Sequence, residues 1–201
     1  GWLNEMEALT RENVMTFYKK WYAPNNAILV VSGDVTMDTL RPLAERIYGS
    51  IPARDVPKRI WTEVPPLKAN QKLVFADITI QQPMLNRIFR VPSTNQNKQE
   101  SLALDVLASI MGDGQSARMY KSLVAEQKIA TGVSFGYSGY AISDTTLRIS
   151  ATPVEGTELE AVEQAIDEQL RTLVKDGVTE SELSEAKTRL IDAAVFARDS
   201  L

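Results

Sequence analysis

The stretch VSFGYSGYAISDTTLRISAT, residues 133–152, decides the fold. Val133, Phe135 and Tyr137 alternate with Ser134, Gly136 and Ser138, and Leu147, Ile149 and Ala151 alternate with Arg148, Ser150 and Thr152. A period of two with one apolar and one polar side predicts two strands in a sheet covered on one face only. Upstream, Ala103, Val106, Leu107, Ile110 and Met111 share one helical face, and Gly112-Asp113-Gly114 stops that helix. Ser116 is placed to cap a further helix with Met119, Tyr120 and Leu123 on its apolar side. Before these lie two candidate strands, Leu73 to Ile80 and Met84 to Val91, joined through Gln81-Gln82-Pro83 as a hairpin or short crossover. Downstream, Thr157 with Glu160 and Thr179 with Glu182 have the spacing of capping boxes. They open two helices with stripes Leu159, Val162, Ile166, Leu170, Leu173 and Leu183, Ala186, Leu190, Ala193. Gly177 ends the first helix; the sequence stops at Asp199-Ser200-Leu201 without a cap, the pattern expected of a truncated helix.

The first quarter reads differently. Thr10 is a candidate N-cap, flanked by Leu9 and Val14 at staple positions. Val14, Phe17, Tyr18 and Trp21 follow on one helical face, and Pro24-Asn25-Asn26 turns the chain. Ala27 to Ser32 is a short apolar run bounded by Gly33-Asp34, expected to be a buried strand. Leu40, Leu43, Ala44 and Ile47 define a second helix closed by Gly49, with Pro42 expected to kink it or delay its start. Residues 52–66 carry four prolines and little periodicity, so they read as an extended linker. The expected organisation is thus a helix–strand–helix region over 1–51, a linker over 52–66 and a second domain over 67–201. Because strands and helices come in pairs, the fold class is α+β, with a mostly antiparallel sheet and helices layered on one face.

Composition excludes several function classes. The 201 residues contain no histidine and no cysteine. Disulfides, thiolate catalysis and most zinc sites are therefore ruled out. The net charge is −4 with both signs mixed, which argues against generic nucleic-acid binding, since neutralising phosphates needs a basic face. No apolar run approaches the ~20 residues of a membrane span.

The stretch Thr10 to Asp34, read with the preceding leucine as LTRENVMTFYKKWYAPNNAILVVSGD, resembles a recurrent segment of the insulysin/pitrilysin family of zinc metallopeptidases. The helix through Tyr48-Gly49 and Ile51-Pro52 is similar to the next segment of that family, and Ser116-Ala117-Arg118-Met119-Tyr120 with Leu123 is similar to a further family block. The resemblance covers nearly the whole chain. It implies a clamshell of repeated α+β domains in which an inverted His-x-x-Glu-His motif and a distant glutamate hold zinc, and the motif's glutamate acts as general base. With no histidine, this chain has no catalytic residue and no metal ligand of that kind; zinc is expected in the parent protein, in an upstream domain. The resemblance thus implies a non-zinc, C-terminal domain, with the end of the zinc-bearing domain before it.

Active single-chain members carry an arginine and a tyrosine in a stretch like Leu-Arg-Glu-Lys-x-Gly-Leu-Ala-Tyr, where they hold substrate and stabilise the tetrahedral intermediate. The matching stretch is Leu123 to Thr131, with Val124 in place of the arginine and Thr131 in place of the tyrosine. Losing such donors costs roughly two orders of magnitude in rate. The implied partners are a peptide substrate, the upstream domain and a paralogous subunit that supplies the arginine–tyrosine pair. An inactive assembly subunit is the alternative. A homodimer or strand swap through Ala27 to Ser32 is a further expectation. The compartment stays open between bacterial periplasm and cytoplasm.

Other motifs have plainer readings. Gly112-Asp113-Gly114-Gln115-Ser116-Ala117 matches a phosphate fingerprint but follows a helix rather than a strand. A helix–helix turn is the better reading, and Gly112, Asp113 and Gly114 are a candidate substrate loop, a weak echo of the glycine-rich loop of the family's processing peptidases. Arg118 and Tyr120 are expected to be structural, and Glu180, Glu182 and Glu185 to complement a helix dipole. Gly132, Gly136 and Gly139 suit either close approach of a peptide or bulges. Trp2, Trp21 and Trp61 read as core or domain-contact residues.

Overall fold

The computed structural model describes residues 3–61 and 65–199. The chain divides into two compact units, residues 1–63 and 64–201.

The first unit is helical. It contains α1 (Leu3–Glu7), α2 (Arg11–Trp21), a 3-10 turn at Pro24–Asn26 and α3 (Met37–Tyr48). Thr10 caps α2 through a reciprocal box with Asn13, and Thr36 caps α3 in the same way with Thr39. Helix α3 runs through Pro42 with no delayed start, because its cap lies upstream at Thr36. Among the described residues of this unit, Ala23 is the one buried hydrophobic side chain. Val14, Phe17 and Tyr18 of α2 and Leu43 and Ile47 of α3 are exposed. The expected strand Ala27 to Ser32 is not formed: the segment carries no regular secondary structure, and Ile28 and Val30 are 91% and 82% exposed. An isolated strand has no ladder to satisfy its backbone, so its apolar sequence does not suffice to make one.

The second unit carries the core. Three strands, β1 (Leu85–Val91), β2 (Ala130–Tyr137) and β3 (Thr145–Pro153), form an antiparallel sheet in the order β1-β3-β2. The expected alternation sets the register: Phe135 faces Ile149 and Val133 faces Ala151 on the covered side, and Ser134 faces Ser150 on the other. Four helices accompany the sheet: α4 (Lys98–Gly112), α5 (Arg118–Tyr120, continuing as a π-helix over Lys121–Glu126), α6 (Leu159–Asp176) and α7 (Glu180–Phe196). Met111, Met119, Leu123, Ile149 and Ile166 are fully buried where the helices meet the sheet. Each such side chain contributes about 1.5–3 kcal/mol of hydrophobic stabilisation. The fold is α+β, as expected.

Three local expectations are corrected. Leu73 to Ile80 is not a strand and makes no hairpin with β1. The Asp77 carboxylate accepts from the Thr79 amide at 2.9 Å and its hydroxyl at 2.6 Å, and the Ile80 amide donates to the Asp77 carbonyl, so a turn replaces the ladder. Helix α6 begins after Glu158 with no side-chain cap, so Thr157 and Glu160 form no box. Helix α5 begins after Ala117, so Ser116 is not its cap. Thr179 and Glu182 do form the expected box at α7. Trp2, Ser200, Leu201 and part of the proline-rich segment lie outside the described residues.

Ion pairs tie β1 to α6. Arg87 reaches Glu163 at 3.1 Å and also Asp167, and Lys72 donates to Glu163 at 2.7 Å. The Lys72 ammonium, and after it the Arg87 guanidinium, hold the Glu163 carboxyl below its ordinary range.

Candidate functional site

The positions of interest converge on the turn from the π-helix into β2. Six residues fix the geometry of that turn. The Ser122 hydroxyl, almost fully buried, accepts from Gln127 Nε2 at 2.8 Å and from Gln169 Nε2 at 3.0 Å. The Gln127 amide closes back onto the Ser122 carbonyl and the Ile129 amide onto Leu123, with Lys128 between them in the left-handed region at φ 54°. The π-helix adds one residue to the turn relative to α-helical winding.

Val124 is half-buried and packs against the hydrophobic core. It presents no polar group. Thr131 is exposed at the start of β2, and its hydroxyl donates to the Thr152 carbonyl across the sheet at 3.2 Å. The two positions therefore sit on one turn, but one faces the core and the other is engaged with the neighbouring strand.

The uncovered sheet face beside them is shallow and polar. A depression of about 210 Å³ is bordered by Met84, Gly132, Ser134, Ser150 and Thr152. Ser134 and Ser150 share a hydrogen bond of 2.7 Å across it. A Cβ on Gly132 or Gly136 would meet nothing within 4 Å, so packing does not require these glycines. A register shift, a bulge, lies between Ala130 and Gly132. Gly139 lies beyond the strand, where a Cβ would come within 2.5 Å of Thr94 Oγ1 and 2.6 Å of Ser101 Oγ.

Gly112, Asp113 and Gly114 end α4 behind β2. A Cβ on Gly112 would lie 2.2 Å from the Phe135 carbonyl oxygen, so this glycine serves the close approach of helix to strand. Arg118 is committed to Glu182 and the Gly177 carbonyl. Tyr120 is half-buried beside fully buried Met119. Glu182 fills the capping role that its spacing from Thr179 predicted, and it is also the ion-pair partner of Arg118, which the spacing did not reveal. No group of three or more potential metal ligands occurs among the described residues. Histidine and cysteine, the donors of most structural zinc sites, are absent from the sequence.

The profile of the peptidase M16 inactive domain matches residues 8–190. The chain belongs to the peptidase M16 inactive-domain family. The zinc protease PqqE of Helicobacter pylori is 24% identical over 191 residues, covering 93% of this chain and 42% of that protein. A zinc protease of Mycobacterium leprae, ML0855, is 26% identical over 196 residues, covering 94% of this chain and 42% of the relative. Among solved structures, a protease from Helicobacter pylori superposes with a TM-score of 0.81 at 22% identity, over 97% of this chain and 47% of that one. The periplasmic protease PqqL of Escherichia coli does so with a TM-score of 0.76 at 20% identity, over 99% and 22%. This M16 inactive domain therefore spans under half the length of these relatives. No described helix is long and apolar enough to cross a membrane.

Proposed function

We propose that this M16 inactive domain is the non-catalytic part of a longer zinc-dependent endopeptidase, in which an upstream domain holds the metal and activates the water. The observation that carries the reading is the pairing of family membership with the state of Val124 and Thr131. One is apolar and turned to the core, and the other spends its hydroxyl on Thr152. Neither is set to donate to a developing oxyanion. The domain then contributes a wall: the polar sheet face, left open at Gly132 and Gly136, stands beside an extended peptide. Gly112 acts in this reading through helix packing, whereas Asp113 and Gly114 are exposed, a Cβ on Gly114 would meet nothing within 4 Å, and both stay available as a substrate loop. The arginine–tyrosine pair comes from a paralogous subunit.

The exposed apolar faces of the first unit support the upstream partner. A region with one buried hydrophobic side chain among its described residues cannot offset its own chain entropy, so its helices need a further surface to cover them. The test compares the full-length parent, with and without its paralogue, against this chain alone. Zinc-dependent peptide hydrolysis by the parent–paralogue pair and none by this chain is expected. Turnover by this chain would overturn the proposal; an inert pair would favour an assembly subunit that keeps the peptidase fold.

A further inference from the structure

Asn25 and Asn26 follow Pro24 in the turn after α2, and their side chains do more than break the helix. Asn26 Nδ2 donates to the Trp21 carbonyl at 2.8 Å, satisfying an orphan acceptor at the helix end. Asn25 reaches 29 residues along the chain: its Nδ2 donates to the Arg54 carbonyl at 2.9 Å, and its Oδ1 accepts from the Arg54 amide at 3.1 Å. A side-chain amide thus forms both bonds that a neighbouring strand would form with one residue. The Arg54 guanidinium returns to the Tyr22 carbonyl. Further on, the Arg59 guanidinium lies 5.9 Å from the Trp21 ring centre and 5.6 Å from that of Trp61. Two contacts of different chemistry hold one short segment to the end of one helix.

We propose that residues 52–60 are a strap bound to the end of α2, not a free tether. Asn25 clamps Arg54, and Arg59 lies against the rings of Trp21 and Trp61. Pro52 and Pro57 lower the entropy cost of holding the segment extended. The strap fixes where the chain leaves the first unit. This inference stands on the first unit's own contacts and does not depend on any peptidase activity.

The test is amide hydrogen exchange on the full chain by NMR. In the wild type the Arg54 amide should exchange at least about tenfold more slowly than those of Ala53 and Asp55, since it alone of the three donates to Asn25. Asn25→Ala should remove that protection and leave the α2 amides unchanged. Asn25→Asp keeps the acceptor for the Arg54 amide but sets a carboxylate oxygen against the Arg54 carbonyl, so it should lower the protection without exceeding the loss in Asn25→Ala. Unprotected exchange of Arg54 in the wild type overturns the strap, whatever the variants do. So does protection that survives Asn25→Ala.

Discussion

Arg118 at the start of α5 holds Glu182 in the first turn of α7 through two contacts, Nε to Oε1 at 2.5 Å and Nη2 to Oε2 at 2.7 Å. The same carboxylate accepts from the Thr179 amide and hydroxyl, both at 2.8 Å, and Arg118 also donates to the Gly177 carbonyl at 2.9 Å. One ion pair thus joins two helices and closes a capping box. The Arg118 guanidinium, aided by the Thr179 donors, lowers the Glu182 carboxyl from 4.5 to about 2. Because the folded value lies below the unfolded one, the contribution is complete above pH 4.5 and is lost as pH falls towards 2. Glu182→Gln should cost about 2 kcal/mol at pH 7, solvent screening of a partly exposed pair included. Its melting temperature should also fall less steeply than the wild type's between pH 5 and pH 2. Parallel pH profiles in calorimetry would contradict this.

Lys128 occupies the left-handed region at φ 54°, between the π-helix and β2. In the family stretch the equivalent position is a glycine, which adopts this conformation without a Cβ penalty. Lys128→Gly should stabilise the second unit by about 0.5–1 kcal/mol, the relief of strain exceeding the greater entropy of an unfolded glycine. Urea denaturation would show it as a higher midpoint at unchanged slope. A lower midpoint would mean that the lysine's contacts outweigh the strain.

The sheet was legible because its information is local. Alternation over 133–137 and 147–152 names the strands, their faces and the pairing of Phe135 with Ile149. The apolar runs 27–32 and 73–80 misled for the opposite reason: a run shows what a segment would bury, not whether a partner exists to pair with it. A single side chain, Asp77, was enough to turn the second of them. At the candidate site, sequence located Val124 and Thr131 but not where they point, since the π-helix changes the winding just before β2. The Asn25–Arg54 clamp spans 29 residues, and no periodicity announces it.

Gly112 lies where α4 packs tightly against β2. A Cβ there would stand 2.2 Å from the Phe135 carbonyl oxygen and 2.8 Å from its amide nitrogen, backbone atoms that cannot rotate aside. Gly112→Ala should therefore push α4 off the sheet and cost at least about 2–3 kcal/mol, despite alanine's better helix propensity. Thermal unfolding measured by circular dichroism checks it. An unchanged or raised melting temperature would show that the helix end shifts freely.

Ile28, Leu29, Val30 and Val31 form an apolar segment outside any strand, and Leu73, Val74 and Phe75 form a second, 90%, 77% and 71% exposed. Both present backbone donors and acceptors together with β-favouring side chains, the features through which chains pair edge to edge. Expressed alone, this chain should self-associate in a concentration-dependent way, by strand exchange or edge pairing. Ile28→Lys with Val30→Lys should weaken that association at least about tenfold, because two ammonium groups in one strand repel their counterparts and resist desolvation. Phe75→Lys should have the same direction of effect if the second segment takes part. Light scattering over a hundredfold range of concentration decides the matter. A wild-type chain that stays monomeric throughout would overturn this expectation.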